Sequence, residues 1–189
     1  MTELSVAGSP PYSGLSVLSR AEWPEAGDDP VKGPPKLAGF VVSSFAPLAA
    51  EAAERCLRRA HGEPPAEPGR ERRTAVLVVS KAGDTATDRT MAKAVDAGRS
   101  VQPLLFFQSV PNAVIGYVAK RWGLVGPVVC LSPEGDPEQE ALATADLLLL
   151  DDAADDALIV LLELATEDGA HDTATALLVG PGTASEVEA

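Results

Sequence analysis

The sequence predicts a layered α/β domain, and three observations carry that prediction. Short apolar runs alternate with stretches of helical period, as strands covered by helices require. TAVLVVS at 74–80 is apolar throughout, the pattern of a strand with helices on both faces. DALIVLLELAT and DTATALLVG follow one another with only the EDGAH turn between them, so the chain ends in an antiparallel pair added to a parallel-leaning sheet.

The elements follow in order. MTELSVAGSPP has neither the basic opening nor the apolar core of a secretion signal. Residues 1–36 read as an irregular N-terminal segment with a short strand at Leu15 to Leu18, residues 37–180 as the main domain, and 181–189 as a flexible tail. EAGDDPVKGPP is a surface loop, and FVVSSF at 40–45 is either a strand or the lead-in to a helix. From Pro47, apolar residues at Leu48, Ala52, Cys56 and Leu57 with charges between them mark an amphipathic helix, whose basic C-terminal end suits its dipole. HGEPPAEPGRERR holds three prolines and two glycines and reads as a surface excursion. After the strand at 74–80, KAGDTATD turns the chain and DRTMAKAVDAG forms a short helix capped near Gly98. PNAVIGYVAKRWG is a second helix, PVVCLS a further buried strand, and PEQEALATADLLLLDD a third helix. Pro137 suits the first turn of that helix, and Glu138 and Glu140 suit its positive end.

A chain of 189 residues is long enough for a full core and is most simply one domain. Its formal charge of -13, from 28 acidic and 15 basic residues, argues against nucleic acid or an anionic membrane as partner. Arg58, Arg59, Arg70, Arg72 and Arg73 read as a solvated face or a local basic patch. Two cysteines without a disulfide pattern fit a reducing compartment, and no apolar run has the length of a membrane span. A soluble, cytoplasmic protein is expected.

The segment FFQSVPNAVIGYVAKRWGLVGP carries the most information. Ser109, Asn112, Gly123, Leu124, Gly126 and Pro127 resemble the stretch before the active-site elbow of the β-ketoacyl synthases, the condensing enzymes of fatty-acid and polyketide synthesis. The resemblance covers the N-terminal half of that family and implies the corresponding half of the thiolase-like fold. In the family the catalytic Cys stands on the elbow; counted without a gap from Gly126, its place falls on Gly135. Counted onward in the same register, the family's Gly/Asp-rich turn before an apolar strand falls on Asp155, immediately before DALIVLLE.

Thioester condensation needs a thiolate at a helix N-terminus, where backbone N–H groups lower the thiol pKa and supply an oxyanion site. The family adds a pair of histidines from its C-terminal half. This chain has only His61 and His171, neither in matching context, and both read as exposed turn residues. Cys130 is a weak alternative nucleophile, because its apolar run predicts a buried, inert thiol. Ser132 lacks a G-x-S-x-G setting, and Ser109 matches a structural position of the family. SKAGDTATD has one Gly and is neither phosphate-loop fingerprint. His171 and its neighbouring carboxylates lack metal-site spacing, and Asp151, Asp152, Asp155 and Asp156 read as a surface helix end. No catalytic residue, cofactor or metal is expected.

The resemblance therefore implies a noncatalytic, ketosynthase-like accessory subunit of polyketide or fatty-acid-type biosynthesis. Chain-length-factor subunits of the family lack the Cys and pair with the active subunit to shape its acyl tunnel. The alternatives are an acyltransferase- or ketosynthase-type enzyme with a displaced nucleophile or a partner's residues, and a structural or regulatory homodimer. Expected partners are a second copy or a full-length ketosynthase, with an acyl carrier protein reached through the complex; nucleic acid and membrane are not expected. QPLLFFQSVPN is the expected contact, where Phe106 and Phe107 are read as interface or as core. Asn112 is expected to hold its turn through backbone hydrogen bonds, with Ser109 or Asn112 as a simple N-cap the other reading, and Gly116 to allow close packing.

Overall fold

In the computed structural model, which describes residues 14–64, 71–165 and 170–182, five strands form one sheet. They are β1 (Leu15–Trp23), β2 (Thr74–Val79), β3 (Val128–Leu131), β4 (Asp156–Glu163) and β5 (Thr173–Pro181), in the order β1-β5-β4-β2-β3. β2 pairs in parallel with both β3 and β4, while β5 runs antiparallel between β4 and β1. The layered α/β sheet and the closing antiparallel pair are thus both present. The expected tail, from 183 onward, lies outside the described residues, as do 65–70 of the proline-rich excursion and 166–169 of the final turn.

Among the described residues there are five helices: α1 (Phe45–His61), α2 (Thr85–Asp96), α3 (Pro103–Gln108), α4 (Pro111–Trp122) and α5 (Pro137–Leu150). Every residue of β2 is buried. Val76 and Val78 join a core with Leu48, Leu57 of α1 and Ile115, Trp122 of α4, whereas Ala75, Leu77 and Val79 face Ala141 and Ala145 of α5. The sheet is therefore covered on both faces, as the unbroken apolar run of β2 requires.

Local chemistry fixes the helix ends. Asp84 caps α2, its carboxylate accepting from the Thr87 N–H at 3.1 Å and the Thr87 hydroxyl at 2.7 Å. The Gly-hydroxyl string SKAGDTATD is thus a turn and a cap. α4 stops at Gly123, which adopts the left-handed conformation at φ 64. Gly126 answers a different need. A Cβ there would stand 2.3 Å from the Thr74 carbonyl oxygen, so only glycine lets the chain enter β3 this close to β2.

Several expectations need correction. The strand at Leu15 to Leu18 continues to Trp23, with a register shift between Val17 and Ser19. FVVSSF is a lead-in, since Phe45 opens α1 and Val41 is exposed. PLLFFQ forms α3. β3 is not a buried strand but the sheet edge, with alternating exposure along Val128–Leu131. An apolar run reads alike at the centre and at the edge; only strand order separates them. Of the arginines read as a solvated face or a basic patch, Arg58 pairs with Glu54 and Glu63, Arg59 with Glu25, and Arg73 with Asp152 and Asp155, Arg72 reaches the Trp122 carbonyl, and Arg70 lies outside the described residues.

Arg55 anchors the loop after β1 to α1. It binds Asp28 through both terminal nitrogens at 2.6 and 2.9 Å, meets Glu51 at 2.8 Å, and lies 4.8 Å from the centre of the Trp23 ring. The Arg55 hydrogen bonds, then the Glu25 N–H, hold the Asp28 pKa at about 2, below the ordinary 3.8.

Two outcomes follow. Gly126→Ala should destabilise the protein by about 1–3 kcal/mol or more through the clash with β2, while Gly116→Ala, at an open helical position, should stabilise by about 0.5–1 kcal/mol; equal melting temperatures for the two variants would contradict this packing. Because the folded-state pKa of Asp28 is depressed, its contribution is present above the ordinary 3.8 and is lost as pH falls through about 2. Thermal melts of Asp28→Asn should therefore show a shallower loss of stability across that window than the parent chain; parallel curves would remove the Arg55 pair from acid stability.

Candidate functional site

At the carboxyl ends of β2 and β3 the chain leaves toward opposite faces of the sheet, and in open α/β sheets this opens a crevice. A cavity of about 540 Å³ lies there, between the residues after β2, the end of β4 and the first turn of α5. Val79, Leu161, Leu162 and Ala174 give it apolar walls, and Lys81 and Glu138 are among its charged lining. The elbow connecting β3 to α5 forms one side.

The elbow is built for a helix start and is supplied with acids. Asp136 caps α5 by accepting from the Gln139 N–H at 2.8 Å, and Pro137 occupies the first turn. Gly135 has no side chain to offer, and its N–H donates to Glu140 Oε1 at 2.6 Å. A Cβ at Gly135 would lie 3.0 Å from that same oxygen. The positive end of α5 is therefore answered by Asp136, Glu138 and Glu140 of the chain itself. A thiolate or a developing oxyanion there would meet carboxylates where catalysis needs free N–H donors. Glu140 thus does more than answer the helix dipole, and its signal in the sequence is a first-turn Glu behind Gly-Asp-Pro, poised to fold back onto the Gly N–H.

Cys130 differs from the expectation of a core thiol. It lies on the exposed side of the edge strand, and its Sγ donates to Asn112 Oδ1 at 3.0 Å. Partial cover of the sulfur pushes its pKa up, so the thiol is accessible yet weakly ionised. Asn112 consequently does not hold its turn: the α4 N-cap is Val110, without a side-chain cap, and Pro111 fills the first position. Ser109 donates to the Phe106 carbonyl at 2.8 Å and ends α3. Fully buried Cys56 donates to the Ser19 carbonyl at 3.6 Å, and burial raises its pKa as well.

The remaining motif residues divide by role. Gly123, Gly126 and Pro127 set the turn into β3, the Pro127 carbonyl accepting from the Val76 N–H at 2.8 Å. Phe106 and Phe107 are 69% and 66% exposed, so they are not core residues of this chain. Gly116 has nothing within 4 Å of a Cβ position, and the expected close packing is absent within the described chain.

Neither histidine reaches the elbow. His61 is half-buried rather than exposed and lies at the opposite end of the sheet, near Arg72 and Asp156; burial, then Arg72, lower its pKa. Asp156 also departs from the surface-cluster reading, because burial raises its pKa while Asp152 and Asp155 pair with Arg73 outside. His171 is exposed and lines a separate groove with Trp23 and Phe40. Among the described residues no group of three His, Cys, Asp or Glu side chains is placed to hold a metal, and no helix is long and apolar enough to cross a membrane.

Comparison with known proteins agrees with this architecture. The family "β-ketoacyl synthase, N-terminal domain" matches residues 42–184. No curated protein sequence matches the chain. Among solved structures, it is similar to a chain from the ketosynthase (ApeO) in complex with its chain length factor (ApeC) of Xenorhabdus doucetiae, at 16% identity and a TM-score of 0.64, covering 90% of this chain and 80% of that one. The ishigamide ketosynthase/chain length factor gives 20% identity and a TM-score of 0.61, covering 85% of this chain and 50% of that chain. A β-ketoacyl synthase from Burkholderia phymatum gives 18% and 0.55, covering 75% and 42%. This chain thus spans about half or less of the last two, and nearly the length of the first.

The two cysteines should be distinguishable in the native protein. A thiol reagent should modify Cys130 and spare Cys56 until unfolding, and the Cys130 rate should climb as pH rises, since its raised pKa leaves little thiolate at neutrality. Equal protection of both thiols would contradict the exposed edge.

Proposed function

This chain belongs to the β-ketoacyl synthase family through its N-terminal domain, and on that footing we propose that it is a noncatalytic accessory subunit of polyketide or fatty-acid-type biosynthesis that pairs with a full-length ketosynthase. The elbow carries this reading: Gly135 has no nucleophile, and its N–H is occupied by Glu140. A role in assembly then accounts for the rest of the surface. Phe106, Phe107 and Val110 stand exposed on the segment that leads into α4, and Val128 is exposed on the open β3 edge. Unpaired edge groups beside apolar side chains suit strand and helix contacts with another chain. The similarity to a chain of comparable length from a ketosynthase–chain length factor complex supports the same kind of partner. The cytoplasm is the compartment this role implies, with an acyl carrier protein reaching the complex through the ketosynthase.

Co-expression with a ketosynthase encoded beside this chain tests the proposal. A stable heterodimer is expected, and Phe106→Glu with Phe107→Glu should break it while shifting stability by only about 0.5 kcal/mol, as exposed sites do. Gly116→Leu reports separately whether α4 joins the contact. Incubated with an acyl thioester, the isolated chain should carry no adduct by intact mass. A stoichiometric adduct lost in Cys130→Ala would replace this reading with acyl transfer by a displaced nucleophile, and a homodimer indifferent to the synthase would replace it with a structural role.

A further inference from the structure

The second half of α5 is apolar on every side. Ala141 and Ala145 lie fully buried against the sheet. At about 3.6 residues per turn, Ala143, Leu147 and Leu150 fall on the opposite side of the helix, and Leu147 and Leu150 are 62% and 74% exposed. The four consecutive leucines from 147 to 150 ring the last turn, so no rotation of α5 buries them all on one sheet. A helix with this pattern belongs between two layers.

The sheet face beneath α5 is short of cover as well. α1 and α4 share the first face, whereas α5 alone lies on the second. Five strands at the usual spacing make a face about 20 Å wide, and one helix covers about 10 Å of it. Val129, Leu131 and Leu161 accordingly stay only partly buried on that side.

Charge says what kind of helix would fit. α5 carries Glu138, Glu140 and Asp146 without a lysine or arginine, and Asp151 and Asp152 follow it. Its last turn holds no basic residue, whereas α1, α2 and α4 end in Arg58 and Arg59, Lys93, and Lys120 and Arg121. Of the nearby cations, Arg73 is already held by Asp152 and Asp155, and Lys81 lines the crevice with Glu138 at the other end. The negative end of the helix dipole therefore adds to the carboxylates beside Leu147 and Leu150. Two copies of α5 laid together would set acid against acid in a chain that already carries a charge of -13, which disfavours a second copy as the cover.

We propose that the outward face of α5 is a docking surface for an amphipathic, basic-flanked helix of another protein. Its apolar stripe rests on Ala143, Leu147 and Leu150, and its lysine or arginine flanks face Asp146 and Asp151. An apolar seam with opposite charges along its sides is a recurrent mode of helix recognition. No residue of α3 or β3 belongs to this surface, so it is separate from the one proposed for pairing.

Fluorescence anisotropy of the whole chain with two labelled model helices of about 18 residues tests the surface. Both helices carry the same leucine stripe, one with lysine and the other with glutamate at the remaining positions. The lysine helix should bind one per chain, gain helical circular dichroism on binding and weaken as salt is raised. The glutamate helix should bind at least about tenfold more weakly. Leu147→Ser with Leu150→Ser should weaken the lysine helix by about tenfold or more, at an unchanged melting temperature because both side chains are exposed. Val31→Ser with Val41→Ser, an exposed apolar pair elsewhere, should leave its binding unaltered. No saturable binding of the lysine helix, equal binding of the two helices, or full binding by the double-serine α5 variant would overturn the proposal. So would a dimer of the parent chain in sedimentation that this variant dissociates, because the face would then belong to a second copy. None of these measurements needs a ketosynthase, so their result stands apart from the pairing reading.

Discussion

All six residues of β2 are buried, so apolar surface must be brought to both of its faces. Right-handed crossovers meet that demand by sending the connection to β3 over one face and the connection to β4 over the other. α1 and α4 share the first face, and α5 alone lies on the second. The same arrangement leaves a crevice where the chain departs in opposite directions, and it places the N-terminus of α5 beside that crevice. The position of the elbow is thus a consequence of covering one strand. Gly126 completes the arrangement, because the backbone entering β3 lies against the Thr74 carbonyl with no room for a Cβ.

The elbow is a helix start whose positive end is answered by acids of the chain itself. A helix N-terminus in a crevice favours negative charge, which is the electrostatic basis for stabilising a thiolate or an oxyanion there. In this chain the favourable field is taken up by Asp136 and Glu140, and the N–H of Gly135 is bonded to Glu140. Both terminations stabilise the helix.

The two sheet edges are unlike. β1 carries Arg20 and Glu22 in an ion pair and a register shift after Val17, features that blunt an edge against further pairing. β3 is short, uncharged and alternately exposed. That asymmetry is what the proposed pairing rests on. It also explains the placing of Cys130, whose thiol meets Asn112 at the edge instead of entering the core.

Much of the fold was legible in the sequence because its signals are local. The amphipathic period of α1, the apolar run of β2, the Asp-Pro start of α5 and the short link between β4 and β5 each depend on neighbouring residues alone. That Gly135 holds the nucleophile place of the family is an expectation counted from Gly126. Tertiary structure decided what counting cannot reach. Strand order put PVVCLS at an edge, which exposed Cys130; packing turned His61 and Asp156 inward; and the fold of the elbow brought Glu140 back onto the Gly135 N–H. Composition and period report how apolar a segment is, whereas burial depends on which segments become its neighbours in space.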